Sequence, residues 1–204
     1  MVRKPDPERR EALLRAALML FVANGVQNTS TAEIAKQAGA AAGTLFIYFP
    51  TKQDLIDALI LKIGKEETDY IKALLAPARS AKEAFQTIWE GTLRWFLENM
   101  DAYRYLQQVR DTGMVSSAAV VESGKFFDYY YSAINKGLEQ GAIKPYPINL
   151  IGDFLYHDIV AVMHIIRTQP DPEEQAKFIR MGFHIFWDGI KKPGDPSKGR
   201  DDEV

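Results

Sequence analysis

Apolar residues recur at helical spacing along nearly the whole chain. Near the N-terminus, one helical face carries Leu14, Leu18 and Phe21, and that helix is expected to end at Gly25. The same spacing predicts further helices at 30–38, 42–48, 52–75, 80–98, 101–111, 116–140, 148–168 and 172–191. No alternating pattern of useful length predicts a strand. The sequence therefore predicts an all-α protein of about nine helices.

Two of these helices, 30–38 and 42–48, are short and adjacent. Ser30 and Glu33 have the spacing of a capping box, which begins the first helix. Gly39 falls in the turn between the two helices, where a positive φ is easiest for glycine. Two short helices joined by such a turn form a helix-turn-helix, although the spacing also fits an ordinary αα-hairpin.

The second short helix is small at its start, aromatic at its end and free of charge. Its first residues, Ala41, Ala42 and Gly43, keep that end slim enough to approach bases in a major groove. Thr44 adds a hydroxyl and a methyl group. The helix has no Arg, Lys, Asn or Gln for bidentate contacts to a purine. Base reading is therefore expected to depend on Thr44, on contacts to thymine methyl groups and on DNA shape.

Groups beside this helix are expected to contact phosphates. Tyr48 offers a phenol, Lys52 an ammonium group, and Thr31 lies at a helix start suited to a phosphate. An N-terminal arm is expected to add basic contacts from Arg3, Lys4, Arg9 and Arg10. Residues 1–52 hold seven basic and four acidic side chains, a net charge of +3. Since the whole chain has a net charge of −2, the remaining residues carry −5. This unevenness favours a polyanionic partner for the N-terminal part.

Composition excludes several kinds of chemistry. The 204 residues include no cysteine, which excludes a disulfide scaffold, a thiol nucleophile and a cysteine-bound metal. The N-terminus has no apolar signal-peptide core, and no stretch approaches the roughly 18 apolar residues of a membrane span. We therefore expect a soluble cytoplasmic protein without a cofactor. The polar residues 193–204 are predicted to be a disordered tail.

The stretch STAEIAKQAGAAAGTLFIYFPTKQDLI, residues 30–56, resembles the DNA-binding signature of the TetR/AcrR family of bacterial repressors. The positions that match the family pattern are Thr31, Ile34, Ala35, Ala38, Gly39, Gly43, Leu45, Phe49, Lys52 and Leu55. The positions that depart from it are Ser30, Ala40, Ala41 and Phe46, and Tyr48 stands where His is usual. Its GTLF-YF-TK form is similar to a multidrug-responsive branch. Ala41 also leaves the second short helix without a capping side chain.

The resemblance implies a homodimer with a helix-turn-helix DNA-binding domain at 1–52 and a ligand-binding and dimerisation domain at 53–192. The helix from Lys52 to about Leu75 would link the two and act as a lever for release. The two helices at 148–168 and 172–191 are apolar on one side, so a pair from each subunit would form a two-fold interface. The interface residues predicted are Ile151, Leu155, Ile159, Val162, Ile166, Phe178, Met181, Ile185 and Phe186.

Aromatic and polar side chains share several helical faces in the C-terminal part. The predicted ligand-binding set is Phe85, Ile88, Trp89, Thr92, Phe96, Asp153, Tyr156 and His157. A place in the core is the commoner explanation for any single aromatic residue, but the mixture with polar groups is typical of ligand pockets. Trp89, Tyr156 and Asp153 favour a small, flat, lipophilic effector, with cationic compounds preferred.

Histidine leaves a catalytic alternative open. Asp153, His157 and His164 share one predicted helix at the spacing of a general base or a metal-binding group. A single hydrogen bond or an interface is the commoner role for such a histidine, and no Ser-His-Asp set, phosphate loop or HExxH motif is present. The preferred prediction is a ligand-responsive repressor of a palindromic double-stranded DNA operator, with no catalytic or metal site. The alternatives are a helical adaptor and a small enzyme using Asp153 and His157.

Overall fold

The computed structural model describes residues 6–75, 78–110 and 112–194. Over these ranges the chain forms ten α-helices and one short 3-10 helix, and the prediction of an all-α protein is confirmed. The helices are α1 (Pro7–Asn24), α2 (Thr31–Gln37), α3 (Ala42–Tyr48), α4 (Lys52–Leu75), α5 (Ala81–Glu98), α6 (Met100–Val109), α7 (Ser117–Gly124), α8 (Asp128–Glu139), α9 (Ile148–Ile166) and α10 (Pro172–Ile190). The 3-10 helix is Lys125–Phe127.

The predicted continuous helix at 116–140 is wrong in one respect. α7 ends at Gly124, three residues form the 3-10 turn, and α8 begins at Asp128. Glycine is a poor helix former, and the turn brings the Phe126 ring against α4. A Cβ added at Gly64 would lie 3.2 Å from that ring. Packing against Gly64 therefore accompanies a break that apolar spacing alone did not reveal.

The chain divides into two compact units. The first holds the residues up to Glu67 together with Glu98–Phe126, and the second holds Thr68–Leu97 and the residues from Phe127 onward. α4 therefore contributes residues to both units. The predicted functional boundary at residue 52 is a different division and stays a prediction. Arg3, Lys4 and residues 195–204 of the predicted tail lie outside the described residues.

The first unit is built around the buried faces of α1, α2, α3, α4 and α6. Tyr105 stacks on Phe21, with ring centroids 5.9 Å apart, and its hydroxyl donates to the Ile56 carbonyl oxygen at 3.0 Å. Burial, reinforced by the charge of Asp57, raises the pKa of the Tyr105 phenol. The Asp57 carboxylate also accepts from the Ser116 amide at 3.0 Å. These contacts fix α1, α6 and the start of α7 against the first part of α4.

The second unit has an aromatic core formed by α5 and α10. Trp89 is fully buried, stacks on Phe186 and donates its indole N–H to the Ile179 carbonyl oxygen at 2.8 Å. A Cβ at Gly182 would lie 2.7 Å from the Trp89 ring and 2.5 Å from a methyl carbon of Val162. The helices approach so closely there because position 182 has no side chain.

One described helix, α9, is long and apolar enough by length and composition alone to cross a membrane. A helix with two apolar faces meets the same test, and α9 has both a buried and an exposed apolar stripe. Asp153 and Asp158 lie within it. A single helix of this kind is weak evidence for a membrane span.

Candidate DNA-binding site

The start of α2 is fixed by its own side chains. The Ser30 amide donates to the Glu33 carboxylate at 2.8 Å, and the Glu33 amide donates to the Ser30 hydroxyl at 3.2 Å. The predicted capping box is therefore confirmed. The hydrogen bonds from the Ser30 amide and hydroxyl lower the pKa of Glu33. Thr31, the first residue of α2, is half-buried.

The turn between α2 and α3 has the predicted geometry. Gly39 adopts φ 65°, and the Ala40 amide donates to the Ala35 carbonyl oxygen at 2.9 Å. Ala35 and Leu45 are fully buried, and a small side chain at 35 lets the two helices pack closely. The pair is a helix-turn-helix and forms part of the first compact unit.

α3 presents a slim N-terminus and an apolar outer face. Ala41, Ala42 and Gly43 are exposed, and Thr44 is half-buried. Ala41 makes no side-chain capping bond, as its lack of a polar group predicts. Phe46 is 48% exposed and Ile47 is 67% exposed.

Ile47 was missed by sequence reasoning. It lies four residues after Gly43, and that i, i+4 spacing places the two on one helical face. This spacing is the sequence signal by which Ile47 could have been identified as a candidate DNA contact.

Two of the three predicted phosphate-binding residues, Tyr48 and Lys52, contact other parts of the same unit. The Tyr48 hydroxyl oxygen accepts from the Asp6 amide at 3.0 Å. The Lys52 ammonium group lies 3.4 Å from the Gln27 carbonyl oxygen and 6.0 Å from the centre of the Phe21 ring. Tyr48 and Lys52 therefore already have partners within the unit, and Asp6 is a contributor that the sequence did not suggest.

The N-terminal arm meets the end of α3 at a second point. The Arg10 guanidinium lies 5.3 Å from the centre of the Phe49 ring. Phe49 itself is buried, as predicted for a residue that anchors the helix pair. Arg9 is exposed on the first turn of α1. Of the four predicted arm residues, these two lie within the described part of the chain.

The predicted ligand-binding residues differ in burial between α5 and α9. The members on α5 are all buried, namely Phe85, Ile88, Trp89, Thr92 and Phe96. Asp153 and His157 are exposed, and Tyr156 is half-buried beside His157, with ring centroids 5.4 Å apart. Trp89 contacts α10, whereas α9 packs inward through a different stripe. The predicted ligand site that joins Trp89 with Asp153 and Tyr156 therefore stays a prediction.

The histidines and carboxylates that a catalytic or metal site would use have other neighbours. His164 contacts Arg167, with a ring nitrogen 3.5 Å from the guanidinium. Burial raises the pKa of Asp158, and the neighbouring His157 opposes that shift. Within residues 6–75, 78–110 and 112–194, no three His, Cys, Asp or Glu side chains are grouped as metal ligands.

The predicted dimer interface is wrong in its choice of stripe on α9. Every predicted residue of α9 is buried within the single chain, namely Ile151, Leu155, Ile159, Val162 and Ile166, and Phe186 of α10 is buried with them. The side chains that stay exposed define what we call the outer patch, and they are Leu150, Phe154, Ile165, Met181 and Ile185. Two of the predicted residues, Met181 and Ile185, belong to it, while Phe178 is half-buried. The inward stripe is the one that packs on the aromatic core.

The all-helical fold and the exposed α2–α3 pair define a helix-turn-helix transcription regulator. The family model for bacterial regulatory proteins of the tetR family matches residues 13–59. The transcriptional regulator SrpR of Pseudomonas putida is 23% identical over 200 residues, covering 91% of this chain and 87% of SrpR. The nucleoid occlusion factor SlmA of Haemophilus ducreyi is 29% identical over 133 residues, 63% of each chain.

A solved structure extends the similarity to the whole fold. A tetR family transcription regulator from Shewanella sp. PV-4 matches with a TM-score of 0.85 and 28% identity, over 91% of this chain and 99% of that one. Residues 13–59 therefore match the N-terminal DNA-binding domain of the TetR family, and the chain as a whole is similar to TetR-family transcription regulators. It is a DNA-binding regulator and not an enzyme, because its relatives and its fold are those of regulators.

Proposed function

We propose that this regulator is a ligand-responsive repressor that binds a palindromic operator as a homodimer. The observation that carries the proposal is the exposed, uncharged N-terminal half of α3, held on α2 by the Gly39 turn. A recognition helix enters the major groove with its N-terminal residues against the bases. A slim start made of Ala41, Ala42 and Gly43 suits that approach.

Base recognition in this proposal is apolar rather than charged. Thr44, Phe46 and Ile47 offer methyl and ring surfaces to thymine methyl groups. No bidentate contact to guanine or adenine is available from α3, so DNA shape must contribute to sequence preference. Lys52, Tyr48, Thr31 and the start of α2 would contact phosphates, which fixes the position of the helix without reading the sequence.

The homodimer is proposed to form through the outer patch of α9 and α10. Exposed apolar groups of this size on two neighbouring helices are typical of an interaction surface. A two-fold axis through the patch would bring the same residues of both copies together, as isologous interfaces require. Such a dimer would space its two recognition helices by one turn of DNA, roughly 34–36 Å.

The effector is proposed to be a small lipophilic compound that binds among the aromatic residues of the second unit. α5 and α10 supply the rings, and α4, which has residues in both units, would be the lever for release. A shift of about 1–2 Å in such a helix is typical of these transitions. The proposal drops a preference for cations, because Asp153 is exposed while Trp89 is buried.

Binding of DNA is tested first with a gel shift on the region upstream of the protein's own gene. The repressor proposal expects a shift at protein concentrations on the order of tens of nanomolar or less, and a much weaker shift on random DNA. The absence of a shift on any DNA would favour a helical adaptor, the remaining alternative. Since the proposed site of action is the chromosome, the protein is proposed to be cytoplasmic.

The effector proposal is tested by release of that DNA. All three tryptophans, Trp89, Trp95 and Trp187, are buried in the second unit, so their emission reports on that unit. Planar lipophilic compounds are expected to quench it and to release DNA. Trp89→Phe keeps the aromatic packing but loses the indole bond to Ile179, so it is expected to change the compound concentration needed for release. Unchanged release by Trp89→Phe would place the effector elsewhere.

A further inference from the structure

The amide of Asp6 meets the hydroxyl of Tyr48 across 42 residues of sequence, at 3.0 Å. A tyrosine oxygen both accepts and donates, and here it accepts from an N–H. Its own hydrogen must therefore be directed to another acceptor. Among the described residues the Tyr48 hydroxyl donates to none. We propose that the Asp6 amide is a positioning group that holds Tyr48 as a hydrogen-bond donor for a DNA phosphate.

Asp6 is itself held firmly by the start of α1. Its carboxylate caps the helix by accepting from the Glu8 amide at 3.0 Å, and its carbonyl oxygen accepts from the Arg10 amide at 3.1 Å. Further along α1, Leu13 and Leu14 are fully buried in the core of the first unit. The Asp6 amide is thus tied to the core through regular helix, and it transmits that fixed position to Tyr48.

The same two segments meet at a neighbouring point. Arg10 lies on the ring of Phe49, the residue directly after Tyr48. The hydrogen bond from Asp6 restricts the Tyr48 side chain, and the Arg10–Phe49 contact holds the same two segments against each other. A donor that is oriented before binding loses less conformational freedom when the phosphate arrives. This inference rests on the proposed DNA docking and adds to it a group from outside the helix-turn-helix.

The backbone at Asp6 allows a clean test. Its φ is −81° and its ψ is 118°, close to the values that proline adopts and that a residue before Pro7 favours. Asp6→Pro removes the amide hydrogen, the carboxylate and the cap. Asp6→Ala removes the carboxylate and the cap but keeps the amide hydrogen, so the pair differs only in the proposed group and in backbone stiffness. Asp6→Asn keeps both the cap and the amide.

DNA affinity is measured for these variants on the upstream duplex and on a random duplex of equal length. Asp6→Pro is expected to bind roughly two- to tenfold more weakly than Asp6→Ala on both duplexes, because only Asp6→Pro lacks the amide hydrogen. In a Tyr48→Phe background the difference between Pro and Ala should vanish, because the acceptor is gone. The salt dependence should be equal for Pro and Ala, since their charges are equal.

Hydrogen exchange of the Asp6 amide supplies a second measurement that needs no proline variant. The amide is expected to exchange faster in Tyr48→Phe than in the wild type. Equal exchange, or equal DNA affinity of folded Asp6→Pro and Asp6→Ala proteins, would overturn this inference while the repressor proposal stands. Failure of the wild type to bind either duplex would overturn both.

Discussion

Two surfaces of this protein expose large apolar side chains, and they differ in what surrounds them. On α3, Phe46 and Ile47 are 48% and 67% exposed on a helix of seven residues. Phosphate-binding candidates flank them, with Tyr48 held by Asp6 and Lys52 beside Gln27. On α9 and α10, the outer patch extends along two helices of 19 residues each and includes Ile185, 71% exposed.

In the proposed function, the same kind of residue serves two kinds of partner. A short apolar surface edged by a phenol and an ammonium group suits a groove lined by phosphates. A longer apolar surface on two packed helices suits a second protein surface of the same shape. Exposure of apolar groups marks both places, and the extent of the surface distinguishes them.

The largest expected effect separates the outer patch from the core beneath it. Leu155 is buried and its neighbour Phe154 is 60% exposed on the same helix. Leu155→Ala is expected to lower the free energy of unfolding by about 2–5 kcal/mol at every protein concentration. Phe154→Ala should instead reduce the dependence of stability on concentration, because it weakens association. Urea unfolding at two concentrations compares them, and a large, concentration-independent loss for Phe154→Ala would assign that residue to the core.

The next effect concerns association itself. Ile185→Asp places a carboxylate at the proposed two-fold interface twice, once from each copy. We expect dimer dissociation to increase by on the order of 100-fold, from the cost of burying unpaired charges. Val121→Asp is the matched control, because Val121 is 68% exposed on α7 and outside the outer patch. Sedimentation that finds Ile185→Asp dimeric at micromolar concentration would remove α10 from the interface.

A smaller effect distinguishes the residues proposed to contact bases from those proposed to contact phosphates around α3. Thr44→Ala and Ile47→Ala should each weaken binding to the preferred sequence roughly fivefold and leave random DNA unaffected, because base contacts are lost. Lys52→Ala should weaken both about equally and lower the salt slope by about 1, because a phosphate contact is lost. Titrations on the two duplexes at several salt concentrations measure this. If Lys52→Ala leaves the salt dependence unchanged, the docking proposed for α3 is wrong.

The smallest effect concerns the interior of the unit that carries α3. The folded state raises the pKa of Tyr105 by burial, while an unfolded tyrosine ionises at about pH 10. Above that pH the unfolded chain binds fewer protons than the folded one, so stability falls as pH rises. The contribution of Tyr105 to the free energy of unfolding is complete below about pH 10. It is lost as the pH rises toward the raised pKa of the folded state.

Tyr105→Phe should reduce that alkaline loss without abolishing it, since burial raises the pKa of Tyr130 as well. It should also cost about 0.5–1.5 kcal/mol at neutral pH through the lost bond to Ile56. Unfolding measured from pH 8 to 11 is the check, and an unaltered alkaline slope would show that Tyr105 ionises equally in both states.

Local signals predicted the helices and the helix-turn-helix well. The ranges 42–48 and 52–75 coincide with α3 and α4, since Gly39, Thr51 and Asp54 mark the boundaries locally. The break at 125–127 was missed because a single 3-10 turn hardly disturbs apolar spacing. The break is accompanied by packing of Phe126 on Gly64, a contact between distant segments that spacing does not record.

The finer features of the sites depended on contacts that no local pattern records. α9 carries two apolar stripes, and periodicity finds both without saying which one faces the core. Leu155 is buried and Phe154 is exposed because the aromatic core of α5 and α10 packs against one side of α9. The bond between Asp6 and Tyr48 joins segments far apart in sequence, so neither residue type nor spacing could predict it.

Selection of binding sites from random-sequence DNA tests the central claim most directly, when the number of chains on the selected duplex is counted. A two-fold related pair of half-sites is predicted, with centres about 10–10.5 base pairs apart and one chain for each half-site. Thr44→Ala and Ile47→Ala should change the selected half-site. A single chain bound to a site without two-fold symmetry, or the absence of any recurring sequence, would contradict the account.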